Sequence, residues 1–238
     1  MNIETQLRDL RLHGMIRSWQ ALSETRRLHE LTLSEGMEVL LQAEADDRDG
    51  KRFERLQQNA NFRYRASIEE LNMDAKRGLD KAAVAIFATG EYIPKGEAIL
   101  VCGSTGTGKS FLVSALGHQA CTQGYRVAYF NVQKLLLKTK MSRIDGSVYK
   151  FFEKISKADL LILDDFGLTH LEQQQRMDML EIIEDRHAKK ATIIASQLPV
   201  DKWWDIFGDS TLADAFLDRM VHTSYRIELK GESLRKKR

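Results

Sequence analysis

Residues 103 to 110 read Gly103-Ser104-Thr105-Gly106-Thr107-Gly108-Lys109-Ser110, directly after an apolar run at 98–102. The stretch has the form G-x-x-x-x-G-K-[ST], in which glycines let successive backbone N–H groups turn toward one phosphate. A strand before the loop and a helix after it are the context that this motif requires, and apolar residues recur at helical spacing after Ser110. A glycine-rich turn that matches by chance is the alternative. The stretch therefore predicts a protein that binds a nucleoside triphosphate.

Each residue type in the loop predicts a particular contact with the nucleotide. Lys109 is expected to reach the β- and γ-phosphates, and the Ser110 hydroxyl is expected to bind Mg²⁺. The N-terminus of the following helix adds backbone N–H donors and the positive end of a dipole. The predicted nucleotide-binding residues are Gly103, Ser104, Thr105, Gly106, Thr107, Gly108, Lys109, Ser110 and Phe111.

Two acidic residues follow a second apolar run. Residues 160–163 are all Leu or Ile, and Asp164 and Asp165 come next, which is typical of a buried parallel strand with carboxylates at its C-terminal end. Ligands bind at that end of parallel sheets. Asp164 is the candidate ligand of Mg²⁺, directly or through water, and Asp165 is the candidate general base. A strand that ends in a solvated acidic turn is the alternative.

Polar residues also follow the next two predicted elements. Ser196, with Gln197 as the second choice, could hydrogen-bond the γ-phosphate or the lytic water after the strand at 192–195. Arg219 follows an amphipathic helical pattern and could reach the phosphates of a neighbouring subunit, where a guanidinium stabilises the charge of phosphoryl transfer. An ion pair with Asp214 or Asp218 is the alternative for this arginine.

The composition bounds the class of protein. The 238 residues are enough for one sizeable core and a small second domain. The chain contains no run of about 18 apolar residues, and its N-terminus lacks the pattern of a secretory signal. Cys102 and Cys121 have no metal-ligand spacing, which predicts two buried, reduced thiols. These features predict a cytoplasmic protein that does not bind a membrane.

The pattern of apolar residues divides the chain near residue 66. Residues 1–66 show helical spacing, with a capping box at Thr32 and Glu35 and a further helical piece at 51–61. From residue 72 helix and strand patterns alternate, with strands expected at 98–102, 126–130, 159–163, 192–195 and 225–229. We therefore expect a helical N-terminal domain, 1–66, and an α/β nucleotide-binding domain, 67–238, whose parallel five-stranded sheet is covered by helices on both faces.

These motifs together resemble the AAA+ ATPases of the IstB and DnaC branch, and most closely the IstB-type transposition helper proteins. The likeness covers nearly the whole chain, so it is much more specific than a phosphate-binding loop alone. The stretches that carry it are 10–15, 103–110, 163–167, 196–199, 211–214, 217–219 and 226–233.

The resemblance implies an AAA+ P-loop ATPase whose small all-α N-terminal domain binds DNA or a second copy of the chain. It implies hydrolysis of ATP that depends on DNA and on oligomers, with ATP and Mg²⁺ bound at the subunit interfaces of a homo-oligomer. It also implies assembly on duplex target DNA, distortion of that DNA, and recruitment or stimulation of a transposase. The implied catalytic residues are Lys109, Asp165, Ser196 (the first sensor) and Arg219 (the arginine finger), and the implied metal ligands are Ser110 and Asp164.

Two features depart from the family pattern. Many AAA+ proteins have glutamate where this chain has Asp165, and the shorter side chain is expected to lower turnover. The sequence continues for nine residues after Leu229, so we expect no C-terminal helical lid. A second sensor arginine is therefore not assigned, although Arg235 is a conceivable substitute.

Clusters of basic residues suggest where DNA is bound, because each phosphate that is neutralised releases counterions. The candidate DNA-binding residues are Arg48, Lys51, Arg52 and Arg55, with Arg63 and Arg65 nearby, then Lys134, Lys138, Lys140 and Arg143, and finally the tail at 235–238. Tyr149, Phe151 and Phe152 could stack on bases beside the second cluster, although packing in the core is favoured. Solvated surface is the alternative explanation for all three clusters.

Two other functions compete with the DNA-remodelling ATPase. A helicase loader would use residues 1–66 to bind a helicase, whereas the basic residues at 48–65 favour DNA. A small-molecule kinase also contains a phosphate-binding loop, but the sequence shows no lid with converging arginines.

Overall fold

The computed structural model describes residues 2–221 and 224–234. The chain divides into two compact units, Met1–Arg55 and Leu56–Arg238. The division falls inside helix α3 (Leu33–Ala60), before the boundary that the sequence suggested after residue 66. Arg235 and the basic tail at 235–238 lie outside the described residues. Within the described ranges, no helix is long and apolar enough to cross a bilayer.

The first unit consists of α1 (Ile3–Asp9), α2 (His13–Glu24) and the larger part of α3. Its small core joins Met15 and Leu22 of α2 to Leu40 of α3. The two helices approach closely at Gly14, where a Cβ atom would lie 2.2 Å from the carbonyl oxygen of Ala43. The carboxylate of Glu44 accepts the Gly14 N–H at 2.8 Å and so satisfies a donor at the N-terminus of α2.

The N-terminus of α3 has the predicted capping box. The Thr32 N–H donates to the Glu35 carboxylate at 2.8 Å, and the Glu35 N–H donates to the Thr32 hydroxyl at 3.3 Å. The helical structure expected at 51–61 is confirmed as far as Ala60, but it is not a separate helix, since those residues continue α3. Gly50 does not end the helix because one interior glycine costs only about 1 kcal/mol relative to alanine.

The second unit contains the predicted parallel sheet. Its strands are β1 (Ala98–Gly103), β2 (Val127–Asn131), β3 (Leu160–Phe166), β4 (Ala191–Ser196) and β5 (Ser224–Leu229). Their order is β2-β3-β4-β1-β5, and every pairing is parallel. β1 and β3 therefore deliver their C-terminal ends to the same edge of the sheet, where the phosphate-binding loop and the acidic pair begin.

Helices cover both faces of this sheet, as predicted. They are α4 (Lys81–Ala88), α5 (Lys109–Thr122), α6 (Val132–Ile144), α7 (Val148–Ser156), α8 (Gln173–Arg186), α9 (Trp203–Phe207) and α10 (Ser210–Val221). Alternate residues of β3 face opposite sides. Leu161 and Leu163 pack in the core with residues of α6 to α10, whereas the side chain of Ile162 lies against Gly117 of α5.

The segment that follows α3 packs on α5. Gly117 makes this possible, because a Cβ atom there would lie 2.4 Å from the ring of Phe62. His118 fixes the segment on both sides: Gln57 lies 2.8 Å from Nδ1, and the Tyr64 carbonyl lies 3.1 Å from Nε2. Since a carbonyl can only accept, Nε2 carries the proton and Nδ1 accepts from Gln57. These contacts place residues 61–66 in the second unit.

Arg186 is a fully buried cation at the C-terminus of α8. Its Nη1 atom donates to the carbonyl oxygens of Ile155 and Ala158, both at 2.9 Å, and its Nη2 atom donates to the Ala191 carbonyl at 2.5 Å. Burial lowers the pKa of Arg186 to about 10, so the guanidinium remains charged at neutral pH. The side chain thereby ties the end of α7 to the start of β4.

We expect Arg186→Met to destabilise the protein by on the order of 3 kcal/mol, because buried carbonyl oxygens lose their donors. Urea unfolding followed by circular dichroism measures the change. Lys189→Met is the matched control, since this exposed lysine lies three residues away and its loss removes the same charge. Equal stabilities of the two variants would contradict a structural role for the buried guanidinium.

Candidate nucleotide-binding site

The loop at 103–110 has the backbone geometry of an anion-binding nest. Gly106 and Gly108 have φ angles of 85° and 103°, which residues with a Cβ rarely adopt. α5 begins at Lys109, so its unpaired N–H groups point into the same space. The Lys109 ammonium donates to the carbonyl oxygens of Gly103 at 2.7 Å and Ser104 at 2.9 Å. This arrangement fits the phosphates of a nucleotide.

A cavity of about 210 Å³ lies beside the loop. It touches Thr107 and Gly108, and the rest of its wall is largely apolar, with polar side chains at 70, 72 and 77. The lining residues include Glu70, Leu71, Asn72, Leu79, Phe111 and Leu234. An apolar slot with a few polar groups, next to a phosphate site, fits a purine base. Residues 70–79 carry no motif, so only the folded chain could assign them to the site.

The segment at 231–234 lies directly against the loop. The Leu234 N–H donates to the carbonyl oxygen of Gly106 at 2.9 Å. A Cβ atom on Gly106 would lie 2.1 Å from the Ser233 hydroxyl, so glycine is needed here for close contact as well as for its φ angle. The Arg77 guanidinium holds the same segment by donating to the Glu232 carbonyl at 3.1 Å.

Asp164 is fully buried, and both of its carboxylate oxygens accept hydrogen bonds. Oδ1 accepts from the Ser110 hydroxyl at 3.1 Å and from the Asp165 N–H at 2.9 Å. Oδ2 accepts from the Tyr129 hydroxyl at 2.5 Å. Burial, followed by the charge of Asp164, raises the pKa of Tyr129 far above its usual range, so the phenol remains a donor. Ser110 and Asp164, expected as metal ligands, thus lie side by side and offer the hard oxygen atoms that suit Mg²⁺.

Asp165 lies in a β-bulge. Leu163 pairs with Ile194 and Phe166 pairs with Ser196, so two residues of β3 stand opposite one residue of β4. Asp165 has a φ angle of 59°, which is uncommon for a residue other than glycine. Its Oδ2 atom accepts from Asn131 at 2.9 Å and from Arg63 at 2.8 Å.

Arg63 and Asn131 were missed as partners of the acidic pair. Asn131 offered a signal, because it is a polar residue at the C-terminal end of the predicted second strand. Arg63 offered none, since it lies about a hundred residues before the carboxylates that it contacts and was grouped with candidate DNA contacts.

Ser196 and Gln197 have different surroundings. Ser196 is fully buried; its hydroxyl donates to the Phe166 carbonyl at 2.9 Å and accepts the Leu198 N–H at 3.1 Å. Gln197 instead accepts from the Thr105 hydroxyl of the loop at 2.7 Å. The geometry therefore favours the second choice, Gln197, over Ser196 as the side chain that faces a nucleotide.

Arg219 of α10 forms an ion pair with Glu184 of α8, not with Asp214 or Asp218 as the alternative interpretation had it. Its Nη1 atom also donates to the Ala215 carbonyl at 2.7 Å. The side chain is half-buried on the surface between these two helices. Within one subunit, the structure does not bring Arg219 into hydrogen-bond contact with the loop or the acidic pair.

The candidate DNA-binding residues fall into two surroundings. In the first unit, Arg48 pairs with Glu44 at 2.8 Å and Lys51 pairs with Asp47 at 2.7 Å, which neutralises part of that cluster. On α6, the side chains of Lys134, Lys138, Lys140 and Arg143 are exposed, although the Arg143 Nε atom donates to Asp178 at 3.0 Å. Arg52 and Arg55 are exposed on α3.

Solved structures with the same fold include proteins of DNA replication. The DnaC helicase loader superposes with a TM-score of 0.55 and 22% identity, over 73% of this chain and 98% of that chain. The replication initiator DnaA bound to AMPPCP and single-stranded DNA superposes with a TM-score of 0.57 and 22% identity, over 70% of this chain and 50% of that chain. The protein thus has the AAA+ fold of these two structures.

The sequence comparisons give the family. The model of the IstB-like ATP binding proteins matches residues 5–238, and the chain belongs to this family. An insertion sequence ATP-binding protein of Sinorhizobium fredii is 38% identical over 97% of this chain and 94% of its own length. The insertion sequence IS1162 ATP-binding protein of Pseudomonas fluorescens is 40% identical over 82% of this chain and 85% of its own length.

We expect Ser196→Ala to affect mainly the stability of the protein and Gln197→Ala to affect mainly its reaction with the nucleotide. The first should lower the free energy of unfolding by about 1–2 kcal/mol, because a buried carbonyl and N–H lose their partner. The second should change stability by less than about 0.5 kcal/mol but slow ATP hydrolysis, because its side chain faces the loop. Thermal unfolding and phosphate release measure the two effects, and the reverse pattern would restore Ser196 as the sensor.

Proposed function

We propose that this chain is a Mg²⁺-dependent ATPase that assembles on duplex DNA, distorts it, and recruits or stimulates a transposase. The observation that carries the ATPase part is the 3.1 Å contact between Ser110 and Asp164 at the foot of the loop, with Asp165 next in the chain. Membership of a family whose relatives are insertion sequence proteins supports transposition as the process.

In this proposal the residues of one subunit divide the tasks of hydrolysis. Lys109 and the backbone of the loop bind the β- and γ-phosphates, and Ser110 and Asp164 hold the metal. Ser110 and Asp164 would hold Mg²⁺, which would supply positive charge against the negative charge that develops in phosphoryl transfer. Asp165 accepts a proton from the attacking water, and Gln197 contacts the γ-phosphate or that water.

A neighbouring subunit would complete the site with Arg219. The guanidinium lies on the surface between α8 and α10, where a second copy of the chain can reach it. To contact phosphates in trans, Arg219 must leave Glu184, so formation of the oligomer would exchange one ion pair for another. This exchange would make hydrolysis depend on assembly.

The second basic cluster is the favoured DNA surface, because apolar side chains stand exposed beside it. Leu137, Met141 and Ile144 follow one another along α6, and Ile144 is 82% exposed. Tyr149 of α7 is 79% exposed, whereas Phe151 and Phe152 pack in the core. Lysines can bind phosphates while apolar side chains enter between base steps and bend the duplex.

A helicase loader has no specific support in this site. The likeness to the DnaC loader is one of fold, at 22% identity. The family match and the insertion sequence relatives cover nearly the whole chain, including the first unit that a loader would use for a helicase.

The proposal is tested by mixing the protein with duplex DNA and either ATP or no nucleotide, with electron microscopy as the measurement. Lys109→Ala should weaken ATP binding by on the order of 100-fold and abolish assembly, because charge-assisted contacts to phosphate are lost. Asp165→Asn should bind ATP and remain assembled on DNA, because the bound ATP is not hydrolysed when the proposed general base is missing. Addition of a partner transposase should then raise strand transfer with wild-type protein. Normal assembly of Lys109→Ala would remove ATP from the mechanism.

We expect the double variant Ile144→Ala, Tyr149→Ala to bind duplex DNA with less than about a tenfold loss but to bend it much less, because wedges rather than phosphate contacts are removed. Fluorescence energy transfer between the duplex ends measures the bend. The slope of the logarithm of DNA affinity against the logarithm of salt concentration should stay unchanged in the double variant. In Lys138→Ala the magnitude of this slope should fall by about 1, because one phosphate contact is lost. Ile86→Ala, at another exposed apolar position, is the control; an unchanged bend in the double variant would contradict this surface.

A further inference from the structure

Arg63 contacts both carboxylates of the acidic pair from outside every motif of the site. Its Nη1 atom lies 2.8 Å from Oδ2 of Asp165 and 3.5 Å from Oδ2 of Asp164. The side chain is 39% exposed, so it can move to solvent without opening the core. A salt bridge that joins the segment after α3 to the site of hydrolysis has no role in the mechanism described above.

The contacts of the surrounding segment aim the guanidinium at this point. Phe62 is held on α5 by Gly117 and lies 4.2 Å, ring to ring, from His118. The Tyr64 carbonyl is bound by His118, and the Tyr64 ring lies 5.5 Å from the Arg63 guanidinium. With both neighbours fixed, the backbone holds Arg63 within reach of the pair, while its long side chain can still turn toward solvent.

The two oxygens of Asp164 have different neighbours. Oδ1 faces Ser110, where the proposed Mg²⁺ binds, whereas Oδ2 faces Tyr129 and Arg63. A divalent ion at Ser110 and Oδ1 would therefore place two positive charges on one side of a carboxylate that already has a guanidinium on the other. Like charges so close repel one another, and the exposed arginine is the one that can leave.

We propose that Arg63 is an internal counter-cation of the Asp164 and Asp165 pair, which Mg²⁺ bound with ATP displaces. Arg63 is thus a positioning residue: while it donates to Oδ2 of Asp165, that oxygen is occupied, and release of Arg63 frees it to contact the attacking water. The inference rests on the proposed ATPase function, because it requires a nucleotide and a metal at this site.

The test measures how much Mg²⁺ strengthens nucleotide binding by the full chain. A fluorescent ATP analogue is titrated first in EDTA and then in MgCl₂, and the ratio of the two dissociation constants is the readout. In Arg63→Gln this ratio should grow by roughly fivefold, the scale of one partly exposed charge pair. Binding in EDTA should be unchanged, because without Mg²⁺ no second cation competes with Arg63 for the acidic pair. Phosphate release without DNA should rise in the same variant.

Two variants serve as controls. Arg63→Lys keeps the charge and should resemble wild type, and Arg65→Gln removes an exposed arginine two residues away and should leave the ratio unchanged. An equal ratio in wild type and Arg63→Gln would overturn the proposal, and so would weaker binding by that variant in both EDTA and MgCl₂, which is the behaviour of a phosphate ligand. Failure of wild type to bind the analogue under either condition would overturn the ATPase function as well, so the two failures are distinguishable.

Discussion

The carboxylate of Asp164 is a charge inside the protein, and a buried charge must be compensated by hydrogen bonds or by a cation. Ser110 at the start of α5, Tyr129 of β2 and the N–H of Asp165 supply those bonds. This one requirement joins the phosphate-binding loop, the edge strand and the bulged strand at a single point. The positions of Asp165 and its partners follow from it, because the bulge that turns Asp165 also brings its N–H to Asp164.

Secondary structure could be predicted from the sequence wherever it depends on residues that are close together in the chain. The five strands, their parallel arrangement and the helix after the loop follow from short apolar runs, and the structure confirms them within a few residues. Leu160 to Leu163 are fully buried, as a four-residue apolar run between helices predicts. The capping box at Thr32 was equally readable, because its two partners are three residues apart.

The remainder of the site depends on contacts between distant residues, for which a single sequence holds no spacing rule. Residues in the range 70–79 and Leu234 line the cavity beside the loop. Arg219 forms its ion pair with Glu184 of α8 and not with the two acidic residues of its own helix. Ser196 and Gln197 show a subtler limit. Neighbouring residues at the end of a strand face opposite sides, and only the contacts of Ser196 with Phe166 and of Gln197 with Thr105 show which of the two faces the loop.

The packing of Phe62 against Gly117 joins α5 to the segment that follows α3, so that a displacement of the helix also displaces this segment. Lys109 begins this helix and His118 lies nine residues further on, a distance of roughly 14 Å along a helical axis. A helix is stiff over two or three turns, so an axial displacement at the loop reaches His118 almost undiminished. The imidazole holds residues 57 and 64, on either side of the segment that follows α3. α5 is therefore a rigid connection between the phosphate-binding loop and the segment that follows α3.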